Sequence, residues 1–308
     1  MVRVRRIGRV ALPALVLATW LAGPTFGGRP GPVRVDSGVM EVDMQLVLAV
    51  DISFSISTYE LGVQRRGYVD AFRDPDVIRS ITSGYLGRIA VTMVEWAGET
   101  TQVQIVPWTL IADQNSAEVF ADALEDAPVQ RSGRTSISEA LGASLKVLDE
   151  SPFVSFRRVV DISSDGLNNS GRRVDRVRDD LLYHGLVING LPLLVGTETG
   201  PAEDLDHYFA DCVTGGVGSF VEPVESWDEF GATLKKKLLL EIAGPGRAPM
   251  PTDGPERVYR ASDPQLEKMD CLTGEKQDLR EYIDQLKKAT GDRAPRWIPR
   301  EEDWPMPE

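Results

Sequence analysis

A carboxylate and two hydroxyls follow an apolar run near the start of the chain. The run extends over residues 42–50, and Asp51, Ser53 and Ser55 come directly after it in the segment Asp-Ile-Ser-Phe-Ser. All three side chains end in hard oxygen atoms, the ligands that Mg²⁺ takes in an octahedral arrangement while it keeps several waters. Because hydroxyls are neutral, an ion held here keeps part of its charge and attracts an anion. The segment therefore predicts a divalent-cation site that binds an acidic group.

Apolar runs alternate with segments of helical period between residues 42 and 243. This alternation is typical of an α/β fold whose mostly parallel sheet has helices on both faces. Only four residues separate the runs at 88–96 and 101–107, so the second strand must return antiparallel. We therefore predict a doubly wound, Rossmann-like sheet of six strands with one antiparallel edge strand. The predicted strands are 42–51, 88–96, 101–107, 158–163, 186–195 and 218–224, and the predicted helices are 58–72, 75–81, 116–124, 136–148, 174–183, 202–209 and 227–242.

Two further oxygen-bearing side chains fall at the same edge of this predicted sheet. In doubly wound sheets, ligands bind beyond the carboxyl ends of the strands, where successive crossovers leave in opposite directions. Asp165 follows the strand at 158–163, and Thr135 lies in the Gly-Arg-Thr-Ser loop before a helix. If the chain crosses back over the sheet after its antiparallel strand, five oxygen-bearing side chains converge: Asp51, Ser53, Ser55, Thr135 and Asp165.

These residues resemble the metal-ion-dependent adhesion site of von Willebrand factor A domains, which has the pattern Asp-x-Ser-x-Ser, then a distant Thr and a distant Asp. The resemblance extends over residues 42–243. Val94-Glu95-Trp96 and Gly215-Gly216 further resemble an uncharacterised, DUF1194-like family of exported bacterial proteins that has this domain.

The resemblance implies a role for each residue. Ser53 and Ser55 bind Mg²⁺ directly, Thr135 binds it directly or through water, and Asp51 and Asp165 act mostly through water. Carboxylates that act through water orient the bound waters and leave the ion its attraction for a carboxylate on a protein partner. Mn²⁺ or another divalent cation accepts the same oxygens. We therefore expect a metal-dependent protein-binding module of the adhesion type rather than an enzyme.

Four residues are candidates for the rim of the site. Phe54 stands where such domains often have glycine, and its ring either narrows the site, contacts a ligand or is buried for structural reasons. Asn168 and Asn169 follow the last aspartate and offer amides for ligand contacts, although such loops are often simple turns. Glu95 lies with Trp96 at the end of the strand at 88–96, near the same face, with a capping role as its alternative.

Ordinary helix caps are the competing interpretation of the hydroxyls. Ser55 or Ser57 caps the first helix, Thr135 or Ser136 caps the later one, and Asp165 is then a turn residue. Caps explain each residue separately, but they do not explain why all five oxygens fall at one predicted switch point.

Residues 1–28 have the organisation of a secretory signal peptide. Four arginines precede an apolar stretch over residues 10–22, which is shorter than the roughly 20 residues of a spanning helix. An uncleaved anchor is the alternative. We expect an exported chain, periplasmic or secreted, with a linker at 29–41 and no transmembrane segment after cleavage.

Cleavage lowers the number of basic residues from 34 to 30 against 47 acidic residues and changes the net charge from −13 to about −17. Such a negative charge disfavours nucleic acid as a partner.

Residues 244–308 form a Pro-rich, charged tail that we expect to be largely unpacked, with a possible helix at 277–288. The two cysteines, Cys212 and Cys271, either pair in an oxidising compartment or stay separate. We expect separate thiols, because the sequence alone gives no information about the distance between the two residues.

Two other classes of function remain open. One is a metal-free scaffold that acts through its tail. The other is a Mg²⁺-dependent phosphoryl hydrolase with Asp51 as the nucleophile, although that class usually has a second aspartate where this chain has Ser53. The two histidines, His184 and His207, lie far from the cluster in sequence, so a serine hydrolase is not supported.

Overall fold

The computed structural model describes residues 39–195, 204–244, 259–260 and 268–290. This part of the chain confirms the predicted fold class, a mostly parallel α/β sheet with helices on both faces. The predicted signal peptide and most of the predicted linker lie outside the described residues. None of the helices in the described ranges is long and apolar enough to cross a membrane.

The strands, numbered in chain order, are β1 (Met40–Glu41), β2 (Gln45–Asp51), β3 (Ile89–Trp96), β4 (Gln102–Ile111), β5 (Phe153–Val154), β6 (Arg158–Ser164), β7 (Val187–Pro192), β8 (Phe220–Val221) and β9 (Tyr259–Arg260). The helices are α1 (Thr58–Arg73), α2 (Pro75–Thr82), α3 (Gln114–Asp126), α4 (Ile137–Asp149), α5 (Val174–Tyr183), α6 (Leu205–Tyr208), α7 (Phe230–Ala243) and α8 (Thr273–Thr290), with a π-helical turn at Phe209–Val213 after α6.

The main sheet has the order β4-β3-β2-β6-β7-β8-β9. Strand β2 pairs in parallel with both β3 and β6, and β4 returns antiparallel to β3 at one edge, as predicted. The two-residue β9 adds a further antiparallel strand beside β8 that the sequence analysis did not predict. The chain leaves β2 toward β3 and later arrives at the opposite side of β2 with β6. The carboxyl ends of β2 and β6 therefore form the switch point at which α/β sheets bind ligands.

Buried apolar side chains cover both faces of the sheet. Strands β2 and β3 are buried along their whole length, as expected for strands with helices on each side. On one face Phe72 of α1 packs edge to face on Phe120 of α3, with ring centroids 4.7 Å apart. On the other face Trp96 and Leu141 belong to a second buried cluster. This packing fixes the strands whose ends carry the candidate ligands.

A charged triad is buried between α7 and the sheet. Lys237 of α7 pairs with Asp161 of β6 and with Glu241, and all three side chains are inaccessible to solvent. Burial opposes the charge of Lys237, but the two carboxylates outweigh it and raise the pKa of the amine. Burial, followed by the charge of Asp161, raises the pKa of Glu241 to about 7. The triad ties α7 to the centre of the sheet.

Part of the tail packs against the domain. Cys212 and Cys271 form a disulfide with their Cα atoms 5.4 Å apart. Helix α8 follows directly, begins at Thr273 and buries Ile283. The expectations of separate thiols and of a largely unpacked tail are therefore wrong for residues 268–290. The cysteines are 59 residues apart in the chain, and only the folded structure brings them together.

Candidate metal site

Strand β2 ends at Asp51, and Ser53 follows two residues later at the base of the candidate site. Both residues are almost fully buried, whereas Ser55 is exposed. The Ser53 amide donates to Asp51 Oδ1 at 2.7 Å, and the hydroxyl oxygens of Ser53 and Ser55 lie 2.9 Å apart. The Ser55 hydroxyl donates to Asp165 Oδ1 at 2.8 Å. Two carboxylates and two hydroxyls thus meet where β2 and β6 end.

Ser164 is a contributor that the sequence analysis missed. Its hydroxyl donates to Asp51 Oδ2 and also accepts from the Gly166 amide at 3.2 Å. The residue ends β6 and immediately precedes Asp165. A hydroxyl at the end of a buried strand, next to a candidate ligand, was the available signal. Ser164 orients the carboxylate of Asp51 and fixes the start of the loop that carries Asp165.

The loop before α4 brings Thr135 to the same place. The amide of Ser132 donates to Ile52 O at 3.0 Å, and the amide of Phe54 donates to Gly133 O at 3.3 Å, so this loop is bonded to the chain that follows β2. Thr135 exchanges two hydrogen bonds with Asn169: its amide donates to Asn169 Oδ1 at 3.0 Å, and its carbonyl accepts from the Asn169 amide at 3.0 Å. Thr135 is therefore held between the loops that follow β2 and β6.

The helix caps are supplied by neighbouring residues. Ser57 caps α1, and its hydroxyl accepts from the Glu60 amide in a complete capping box. Ser136 caps α4 by accepting from the Glu139 amide at 3.4 Å. The hydroxyl of Ser55 instead bonds within the cluster. The capping interpretation accounts for Ser57 and Ser136, so it does not explain Ser55 or Thr135.

Burial disfavours the charged form of both aspartates. Burial, and next the charge of Asp165, raises the pKa of Asp51 to about 7, against the opposing hydrogen bonds from Ser164 and Ser53. Burial likewise raises the pKa of Asp165, although the hydrogen bond from Ser55 opposes the shift. Two partly desolvated carboxylates at one point form a site whose charge a cation would balance.

The donor set suits a hard divalent cation. It consists of two carboxylates and three hydroxyls, all oxygen, with no thiolate or imidazole. Within the described ranges, no group of three or more His, Cys, Asp and Glu residues is placed to hold a metal. A cation at this site would therefore depend on the hydroxyls and on water as much as on the carboxylates. These residues fit Mg²⁺ better than they fit a metal that selects nitrogen or sulfur.

A cleft of about 380 Å³ opens above these residues. Ser53, Ser55 and Thr135 line it together with two of the predicted rim residues, Phe54 and Asn169. Phe54 is 61% exposed, and the Arg131 guanidinium lies 5.6 Å from its ring centre. The ring therefore stands at the mouth of the cleft. Further lining residues that the sequence analysis missed are Arg134, Gln277, Asp278 and Glu281.

The other two predicted rim residues lie away from the cleft. Glu95 is buried and pairs with Arg65, whose guanidinium also donates to Leu124 O at 2.7 Å. Asn168 is fully buried and accepts from the Ser138 amide at 2.9 Å. Both faces of β3 are covered, so Glu95 lies in the interior whichever face it occupies, and Asn168 is held inside by its hydrogen bond with α4. Their contacts support the fold rather than the rim.

The strand order and the Asp-x-Ser-x-Ser segment at its switch point define a domain of the von Willebrand factor A type. The chain belongs to the family described as protein of unknown function DUF1194, whose model matches residues 41–246. No curated protein matches the sequence.

Several solved structures are similar to this chain in fold. The pilus adhesin SpaC from Lactobacillus rhamnosus GG has a TM-score of 0.50 at 13% identity, over 66% of this chain and 30% of that chain. A von Willebrand factor type A protein from Catenulispora acidiphila has a TM-score of 0.48 at 13% identity, over 66% and 43% of the two chains. Proximal thread matrix protein 1 from the mussel byssus, with a zinc-occupied MIDAS motif, has a TM-score of 0.45 at 17% identity, over 67% and 46%. The chain spans less than half the length of each, and the similarity is one of fold.

Proposed function

We propose that this chain is an exported, divalent-cation-dependent binding module. In this proposal Mg²⁺, or Mn²⁺ or another divalent cation, is held by Asp51, Ser53, Ser55, Thr135 and Asp165. The ion then binds a carboxylate on a protein partner. The observation that carries the proposal is the hydrogen-bonded meeting of Ser53 and Ser55 with Asp51 and Asp165 at the switch point of the sheet.

The chemistry of the donor set supports an anionic ligand. Three of the five donors are neutral hydroxyls, so the protein supplies at most two negative charges to a doubly charged ion. If the aspartates act through water, the ion keeps a stronger attraction for an incoming carboxylate. The exposed Ser55 and the open cleft above it leave room for that ligand.

A binding role fits the cleft better than hydrolysis. Among the described residues that line the cleft there is no histidine, and the position two residues after Asp51 is a serine. Neither a histidine to act as general base nor the second aspartate of a phosphoryl hydrolase is present among these described residues. The net charge of −13 favours a protein partner over nucleic acid.

The first test is isothermal titration of Mg²⁺ and Mn²⁺ into the purified protein. We expect saturable binding in the wild type and none in Asp51→Ala or Asp165→Ala, with the fold retained by circular dichroism. Asp70→Ala is the matched control. It removes the same charge from an exposed residue of α1 that lies away from the cleft. Metal binding that survives in both ligand variants would overturn the proposed site.

The second test asks whether the ion accepts a carboxylate. Water-proton relaxation of bound Mn²⁺ reports how many waters remain on the metal. Addition of acetate should displace water and lower the relaxation enhancement, while neutral acetamide at the same concentration should have much less effect. An unchanged enhancement with acetate would leave a metal site without the proposed ligand chemistry.

A further inference from the structure

Helix α8 contacts the loop that carries Thr135. Asp278 of α8 forms an ion pair with Arg134, the residue immediately before Thr135. The same guanidinium donates to Asn169 O at 2.7 Å. One arginine therefore joins the tail helix to the loop before α4 and to the loop after β6.

The start of α8 also holds the loop that follows Asp165. Asn168, three residues beyond Asp165, donates from Nδ2 to Glu275 Oε1 at 2.8 Å. Its Oδ1 accepts from the Ser138 amide at 2.9 Å, so the same side chain joins α8 to α4. Asn168 is fully buried and Glu275 is 9% exposed. This contact is therefore an interior one, although Glu275 belongs to the tail.

Gly274 allows the closest approach between the helix and this loop. A Cβ atom at this position would overlap the carbonyl oxygen of Asn168 and would lie 2.9 Å from Leu167 Cβ. The oxygen is backbone, so a side chain at residue 274 forces either α8 or the loop to move. The glycine is required by this packing.

The disulfide sets where α8 begins. Cys271 is bonded to Cys212, and the amide of Met269 donates to Asp211 Oδ2 at 2.8 Å. These two contacts fix the chain within four residues of the helix start. Gln277, Asp278 and Glu281 then form one wall of the cleft whose floor contains Ser53.

We propose that α8 is a positioning element of the metal site, anchored by the Cys212–Cys271 disulfide. It holds the loops that carry Thr135 and Asp165 at the spacing that the cation requires, and it closes one side of the cleft. Because α8 bonds to both loops, displacement of the helix weakens metal binding, and a bound metal in turn stabilises the seated helix. The inference rests on the proposed function, since it assigns α8 a part in that same site.

The test compares two glycine-to-alanine variants of the full chain. Gly274→Ala pushes α8 away from Asn168, whereas a Cβ on Gly231 in α7 meets nothing within 4 Å. We expect Gly274→Ala to bind Mg²⁺ and Mn²⁺ about tenfold more weakly by isothermal titration, the low end of the loss seen when groups that orient metal ligands are removed. Gly231→Ala should bind as the wild type does.

A second pair of variants keeps the test independent of any misfolding in Gly274→Ala. Glu275→Ala removes the acceptor for Asn168, while Glu275→Gln keeps an oxygen in the same place. We expect weaker metal binding in the alanine variant and recovery in the glutamine variant. Amide hydrogen exchange of residues 133–136 and 166–170 in the metal-free protein should be faster in Gly274→Ala and Glu275→Ala only.

The outcomes separate the two proposals. Equal metal affinity in all four variants and the wild type, with unchanged loop exchange, would overturn the role of α8 and leave the metal site intact. Absence of metal binding in the wild type would refute the proposed function. In that case amide hydrogen exchange of the two loops is the remaining test of the positioning role of α8. Faster exchange in Gly274→Ala supports the role, and unchanged exchange overturns it.

Discussion

The Ser55 hydroxyl donates a hydrogen bond to Asp165 Oδ1 at 2.8 Å, although 110 residues separate them in the chain. The bond joins the segment after β2 to the segment after β6, two strands that are neighbours in the sheet. Capping does not account for it, because Ser57 caps α1. It brings the second carboxylate into the cluster of Asp51 and Ser53.

Charge repulsion between Asp51 and Asp165 predicts that one substitution raises the melting temperature of the metal-free protein and removes the stabilisation by metal. Asp165→Asn removes a charge that disfavours ionised Asp51, so the metal-free variant should melt at a higher temperature than the wild type at pH 8. Mg²⁺ at a hundred times its Kd stabilises a single-site protein by about 2.7 kcal/mol, and the variant should lose this gain. Differential scanning calorimetry with and without Mg²⁺ measures both changes. A variant that melts lower without metal and keeps the Mg²⁺ shift would contradict the assignment.

Two serines four residues apart should respond differently to alanine. Ser53→Ala removes a proposed ligand and should weaken Mg²⁺ binding at least tenfold with little change in stability. Ser57→Ala removes the cap of α1 and should lower the free energy of unfolding by about 1 kcal/mol with unchanged metal affinity. Titration calorimetry and urea unfolding of both variants provide the comparison. If the two serines gave the same pattern, the division between ligand and cap would be wrong.

The buried triad predicts a large loss from Lys237→Ala. The substitution leaves Asp161 and Glu241 as two buried carboxylates without their shared cation. Removal of one partner from a buried ion pair costs about 3–5 kcal/mol. Urea unfolding at pH 7 measures this loss of stability. Lys235→Ala in the same helix is the control, because Lys235 pairs with Asp74 and Asp76 near the surface, and its loss should lower stability far less.

The raised pKa of Glu241 predicts that stability decreases with pH. Burial and the charge of Asp161 raise the pKa of this carboxyl from 4.5 to about 7. Between these values the folded state binds more protons than the unfolded state, so the free energy of unfolding falls as pH rises. In Glu241→Gln the free energy of unfolding should depend less on pH between 4.5 and 7 than in the wild type. Urea unfolding of the metal-free proteins measures this dependence. The difference between the two curves isolates Glu241 from other buried acids, and identical slopes would contradict the prediction.

Much of the fold could be predicted from local pattern. The apolar run before Asp51 is a central strand because a strand covered on both faces needs apolar residues at every position. The short connection between β3 and β4 forced the antiparallel return. Helix α5 runs over Val174–Tyr183, the predicted bounds, since its apolar periodicity is regular and a glycine follows soon after.

Other features could not be predicted, because they depend on contacts across the chain. The pairing of Cys212 with Cys271, the burial of Glu95 against Arg65 and the interior place of Asn168 are examples. Each residue type is compatible with several environments, and only distant neighbours decide between them. The same limit applied to the tail, whose composition is typical of an unpacked segment.

By itself, the sequence determined which side chains offer hard oxygen atoms as ligands and which strand ends they follow. It could do so because strand period and residue chemistry are local properties. The tertiary structure decided that Ser55 bonds to Asp165 while Ser57 takes the cap, that Ser164 orients Asp51, and that α8 forms a wall of the cleft. These outcomes depend on which strands become neighbours and on where the disulfide holds the tail. Long-range packing, rather than local preference, fixes both.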